Sequence, residues 1–461
     1  MSNWAETMVM KAKSGLILGM LLLLVGVVMA APQETILPNG MKVVVVRDAR
    51  SPVVVSQLWY RVGSVDEVNG HTGLSHLLEH MMFKGTASVA DGEYSRRIAQ
   101  AGGKENAFTS RDYTVYFAQL SADKLPLLLE LEADRMANLQ IDEAAFRREL
   151  EVVKEERRLR TDDQPAGLLQ EALYANAFVA NPVRYPVIGW MDDLVHAQAD
   201  DLRQWYRQWY VPNNVTLVIV GDVDPPRVFE QVRHYFAGLP AKALPARNPQ
   251  REPLQQGIKR VELSAPSQFN YLSMAWHVPG LRPGADGQAY AYALLEAVLS
   301  GDAAARLPSQ MERGKALAHA AAADYSMLGR GEALFVITAT QARGRQPAEL
   351  EAAIRQQLRD IVERGVSEQE LGRARLRLDA DEIYQRDSLF AQAMRVGTLE
   401  SVGFSWRDAD RIRQQMQQVT AEQVRQAAAS LQDGQLTVVT LLGKGGVNTM
   451  AGQLKGDGLV R

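Results

Sequence analysis

Ser75-His76-Leu77-Leu78-Glu79-His80-Met81-Met82-Phe83-Lys84-Gly85-Thr86 carries the pattern H-x-x-E-H. Wound as a helix, it sets His76 and His80 four residues apart on one face, with Glu79 pointing to nearly the same side. Two imidazoles so placed can share one metal ion. A carboxylate beside them can take a proton from the water that such an ion activates. The order inverts the commoner H-E-x-x-H and is the inverzincin arrangement. Gly85 stands just past the motif, where a helix stop is expected. A catalytic zinc needs a third protein ligand and an open position.

That third ligand has to come from elsewhere in the chain. Arg148-Glu149-Leu150-Glu151-Val152-Val153-Lys154-Glu155-Glu156-Arg157-Arg158 reads as a long helix that begins near Asp142. Glu149 and Glu156 are two turns apart and share a face, whereas Glu155 is rotated by about 100° from Glu156. A Glu/Arg-rich helix is also commonly a solvated face laced by i,i+4 pairs. Spacing alone leaves the choice among these carboxylates open.

The two stretches together, H-x-x-E-H and then E-x-x-V-V-x-E-E, resemble the pitrilysin, insulysin and mitochondrial-processing-peptidase family of zinc metallopeptidases. The resemblance implies His76, His80 and Glu156 as ligands of one Zn2+ per chain. It implies Glu79 as the catalytic base and Glu149 as a supporting acidic residue of the catalytic set. Gly102 to Phe117 resembles the family's G-G-x-x-N-A-x-T-x-x-D-x-T-x-Y segment. By that resemblance Asn106, Ala107, Phe108 and Thr109 lie on a strand edge that holds an extended substrate. Tyr210-Val211-Pro212-Asn213-Asn214 and Val220-Gly221-Asp222 are also family-like, and the resemblance runs over residues 34–446. It implies a zinc-dependent endopeptidase acting on short or unfolded polypeptides. The alternative is a non-catalytic peptide-binding or scaffold subunit, since some relatives in respiratory complexes have lost the motif. Here all four metal and base positions are present.

The rest of the composition narrows the field. Over 461 residues the formal charge is −3, so no basic footprint for nucleic acid is expected. There is no cysteine, which removes disulfides, thiolate nucleophiles and cysteine ligands. No G-x-S-x-G surrounds a candidate serine. Lys11 and Lys13 precede an apolar run from Gly15 to Ala31, with Val28-Met29-Ala30 before Ala31-Pro32. This reads as a secretory leader cut after Ala30, giving a periplasmic or secreted protein; an uncleaved anchor is the alternative.

Strand-like runs at Met41–Val46, Val53–Val62, Asn106–Gln119 and Val215–Val220 mix with helices without regular βαβ alternation. Helices are expected over 88–101, 124–138, 199–210 and 225–236, beside the two that carry the motifs. The fold class is therefore α+β. The second half repeats the first. Gly40-Met41-Lys42, Trp59 and Leu77-Leu78-Glu79 recur at one common offset as Gly257-Ile258-Lys259, Trp276 and Leu294-Leu295-Glu296. Two homologous domains follow, each a mostly antiparallel sheet packed with helices, arranged as half of a clamshell. The expected division is a leader over 1–30, a zinc-binding domain over 31–240 and a linker over 241–257. A second domain then covers 258–448 and a tail 449–461. Ala293 and Ala297 stand opposite His76 and His80, so the second copy binds no metal. Many family members carry an Arg and a Tyr, seven apart, in that domain to position substrate. Here His319 stands where Tyr is expected and Arg313 is one place off register. The departure implies a partner, as a homodimer or a heterodimer with a homologous chain.

Overall fold

Valine-rich runs that are buried on both faces make the middle of the first sheet. The computed structural model describes residues 31–247, 250–284 and 287–445; the expected leader and tail lie outside them. The first sheet contains β1 (Gln33–Ile36), β2 (Lys42–Arg47), β3 (Val53–Tyr60), β4 (Lys104–Thr109), β5 (Thr114–Ser121) and β6 (Val215–Gly221), in the order β1-β2-β6-β3-β5-β4. The second contains β7 (Lys259–Ala265), β8 (Tyr271–Val278), β9 (Ala318–Tyr325), β10 (Ala333–Gln341) and β11 (Leu436–Gly443), in the order β7-β11-β8-β10-β9. Beyond the extra β1, one order is a copy of the other. In both, the parallel pair comes first (β2 with β6, β7 with β11) and the remaining pairs are antiparallel. Trp59 and Trp276 sit on the equivalent strands β3 and β8, both buried. The repeat read in the sequence is thus a repeat of topology.

Each half covers the other's sheet. The helix Leu389–Ser401, from the second half, lays Ala393 and Val396 against Val44, Val55, Trp59 and Val218 of the first sheet. The helix Pro165–Ala177, from the first half, lays Leu169 and Leu173 against Ala275, Val336 and Val439 of the second. Close approach dictates a glycine here. A Cβ on Gly397 would lie 1.9 Å from Cε2 of Trp59. The indole cannot retreat, because its Nε1 donates to Gln57 Oε1 at 3.0 Å inside the core.

Polar ties fix the same junction. Arg330, in the turn between β9 and β10, forks onto both oxygens of Asp66 at 3.0 and 2.6 Å and takes the Asp112 carbonyl at 2.5 Å. The expected linker has no helix or strand between Phe236 and Lys259 among the described residues, but it is tied down. Glu252 accepts the N–H groups of Val179, Ala180 and Asn181, and Arg247 donates to Asp66.

Two helices are shorter than their sequences suggest. The helix expected over 88–101 spans only Glu93–Gln100, because Gly92 adopts φ 73° and turns the chain immediately before it. The Glu149/Glu156 helix runs Glu143–Arg157, is capped by Asp142 accepting from Ala144 and Ala145, and ends in a wider turn over Arg158–Asp162. No helix among the described residues is long and apolar enough to cross a membrane.

Candidate metal centre

The H-x-x-E-H stretch forms the helix Leu74–Met81. Gly73 starts it at φ 86°, and a Cβ there would meet the Ile188 carbonyl oxygen at 2.6 Å. The first-turn N–H groups of such a short helix need an acceptor. Glu67, fully buried, supplies one oxygen to Gly73 N and the other to Ser75 N, both at 2.7 Å. Burial pushes its carboxyl up to about 7, against the pull of those two N–H donors. Glu67 thus sets the angle at which the motif leaves the core.

From that helix His76 and His80 face Glu156. His76 Nε2 lies 3.8 Å and His80 Nε2 3.3 Å from Glu156 Oε2, and the three donor atoms are all within 4.8 Å of one another. Donors around a tetrahedral zinc, with bonds of ~2.0–2.2 Å, stand about 3.3 Å apart. The set fits such an ion in number, type and spacing. Burial drives His76 down to about 4, so its ring is neutral and free to ligate. Burial also opposes charge on His80, but Glu149 and Glu156 outweigh it and hold that ring up at about 9. Spacing had left three carboxylates open. The fold turns Glu156 toward the imidazoles, while Glu155 pairs outward with Arg158 at 2.9 Å.

Glu79 does not join the three. Its Oε2 accepts from Thr109 Oγ1 at 2.6 Å, which ties the motif helix to the end of β4. Burial raises its carboxyl above the ordinary value, and the Thr109 bond offsets part of that rise. Glu149 lies behind the set rather than in the cleft. It takes His80 Nδ1 at 3.5 Å and is itself held by Lys84 Nζ at 2.7 Å. Arg160 grips the second oxygen of Glu156 at 2.5 Å.

These groups open into a cleft of about 890 Å³. Asn106, Ala107, Phe108 and Thr109 line it from β4, the outer strand of its sheet. Val152, Leu159 and Ile188 give it an apolar wall. Arg313 and His319 are not among its lining residues; His319 stacks edge-on against Phe269 on the far sheet. Of the other histidines, His71 is exposed near Asp201, and His277 bonds the Ala177 carbonyl at 2.9 Å.

The family model "Insulinase (Peptidase family M16)" matches residues 42–189, and "Peptidase M16 inactive domain" matches 196–378. The chain belongs to the M16 peptidase family. As an M16 chain it is 34% identical over 255 residues to the zinc protease PqqE of Helicobacter pylori, covering 54% of this chain and 57% of that one. The chain thus matches little more than half the length of that relative. It superposes on the crystal structure of a protease from Helicobacter pylori with a TM-score of 0.85 at 28% identity, covering 89% of this chain and 99% of that one. The fold is also that of the periplasmic protease PqqL from Escherichia coli, with a TM-score of 0.74 and 18% identity, covering 89% of this chain but 47% of that one. The M16 inactive-domain match covers the helix Gln288–Ser300, where alanines replace both imidazoles.

Sequence reasoning did not find Glu67, Lys84 or Arg160 in this M16 site. Arg160 had a local signal, one turn after Glu156. Glu67 had none, since its role depends on where the chain returns after a loop.

Proposed function

We propose that the chain is a zinc-dependent endopeptidase, on the strength of one observation: two imidazoles and a carboxylate converge within 4.8 Å beside a half-buried second carboxylate. Zinc held by His76, His80 and Glu156 would supply a Lewis acid that acidifies a water and polarises the scissile carbonyl. Glu79 accepts the proton of the attacking water and returns it to the amine nitrogen as the C–N bond breaks. Thr109 occupies one oxygen of Glu79 and so presents the other to that water. Glu149 holds His80 through Nδ1 and fixes which nitrogen faces the cleft. The substrate adds to the open edge of β4 as an extended strand, along Asn106 to Thr109, so main-chain bonds supply affinity with little demand on sequence.

A second reading has its own support. Arg313 and His319 lie off the cleft, so a homologous partner chain supplies whatever closes over the substrate, as a homodimer or heterodimer. The neighbour PqqL, of which this chain matches about half, carries more than one such length in a single chain. An exported location rests on the leader read in residues 1–30. The test is cleavage of an unstructured peptide by the zinc-loaded chain, beside Glu79→Gln. Turnover by the wild type alone supports an autonomous peptidase. One bound zinc without turnover moves the search to the partner. Absence of both overturns the assignment.

A further inference from the structure

Charge in the cleft is unevenly matched. Four carboxylates line it, and three have cationic partners. Glu156 is held by Arg160, Glu155 by Arg158, and Glu171 by the buried Arg157 through two bonds of 2.7 and 2.9 Å. The fourth, Glu79, is the half-buried base of the proposed mechanism. Three arginines line the same cleft, and two of them, Arg111 and Arg184, have no carboxylate within ion-pair distance among the described residues.

These two belong to one structure. Arg111 lies in the turn between β4 and β5, two residues past Thr109. Its Nε donates to the Val183 carbonyl at 3.2 Å, and its guanidinium stacks over Tyr174 with the central carbon 3.9 Å from the ring centroid. Arg184 directly follows Val183 and donates Nη1 to the Val179 carbonyl at 2.8 Å. Each guanidinium is thus held by a neutral carbonyl on one side, and the terminal nitrogens of Arg111 have no partner among the described residues. A stacked, half-buried guanidinium is preorganised for a carboxylate, which it binds bidentately and with little further loss of freedom. Two cations that line one cleft without carboxylate partners concentrate anions there.

From this pairing we propose that Arg111 and Arg184 form a carboxylate-binding subsite, which selects extended chains bearing a carboxylate a few residues from the bond presented to Glu79. The inference rests on the peptidase reading for its location and names that site's substrate class. Two sources of the carboxylate fit the chemistry: an acidic side chain, or the free C-terminus of the peptide. The former makes the protein an endopeptidase with an acidic preference; the latter confines cutting to chain ends.

Binding is read on the full-length, zinc-loaded chain carrying Glu79→Gln, by fluorescence anisotropy. The probes are short unstructured labelled peptides in matched forms: one Glu walked along the sequence, its Gln counterpart, and free or amidated C-termini. The expected result is that one Glu position, or the free terminus, tightens binding by about tenfold. Adding Arg111→Gln or Arg184→Gln removes that gain and leaves the neutral peptide's affinity unchanged. Salt should weaken the acidic peptide more than the neutral one. Equal binding of acidic and neutral peptides overturns the subsite, as does an equal loss for both in the arginine variants. Wild-type turnover of the neutral peptide is scored separately, so failure of the peptidase reading is seen apart from failure of the subsite.

Discussion

At the scale of single residues, the proposed mechanism separates a group that moves a proton from groups that hold others still. In that mechanism Glu79 must be ionised to act as base, so its raised pKa should place the acid limb of kcat/KM above the ordinary carboxylate range. Thr109→Val removes the bond that partly offsets burial. The limb should then move to higher pH, with kcat lower at neutral pH; an unshifted pH profile would show that Thr109 only packs. Glu149→Gln keeps the shape behind His80 but weakens its hold on Nδ1. Zinc affinity measured by competition with a chelator should fall by about 10–100-fold. What the sequence disclosed at this scale depended on local geometry. His76, Glu79 and His80 are legible because helical pitch alone puts them together. The choice of Glu156 over its neighbours came from family resemblance, since only the packing of two distant helices decides it. Glu67 and Arg184 were illegible because nothing in their local spacing announces a contact made across a loop.

At the scale of elements, the repeat was legible and the exchange of helices was not. Trp59 and Leu77 find counterparts because each copy must fill the same layer of core, and Gly40 and Gly257 correspond because each turns the chain at positive φ, 84° and 96°, just before its strand. The exchange leaves only glancing signs, such as a glycine inside the helix Leu389–Ser401 where alanine is the better helix former. Gly397 is required by Trp59, and Gly397→Ala sets two effects against each other. Helix propensity favours alanine by about 1 kcal/mol. Overpacking against a ring already fixed by Gln57 costs about 1–3 kcal/mol. The overlap at 1.9 Å is severe, so the second term should win, and thermal unfolding should shift down. An unchanged or raised Tm would mean that the helix shifts freely over the sheet.

At the scale of the whole molecule, zinc bound as proposed would link stability to the ion, and Asp48 links it to pH. Zinc that binds only the folded chain adds about 2.7 kcal/mol at a hundredfold excess over Kd. A chelator should therefore lower Tm, and His80→Ala should abolish that sensitivity. Arg50 holds the Asp48 carboxyl down to about 2, helped by Gln392 from the exchanged helix. A folded-state value below the unfolded one gives stability that is full above about pH 4 and lost as pH falls toward 2. Asp48→Asn should flatten part of that acid limb in a pH series of melts. The exchange of helices also bears on how the protein is made. Chains emerge from the ribosome N-terminus first, and leading domains commonly fold before later ones exist. Here the nascent first half carries an uncovered valine-and-tryptophan face until residues 389–401 have been synthesised. It cannot complete its fold early, and a holdase would meet it during synthesis as a loose, adhesive thread.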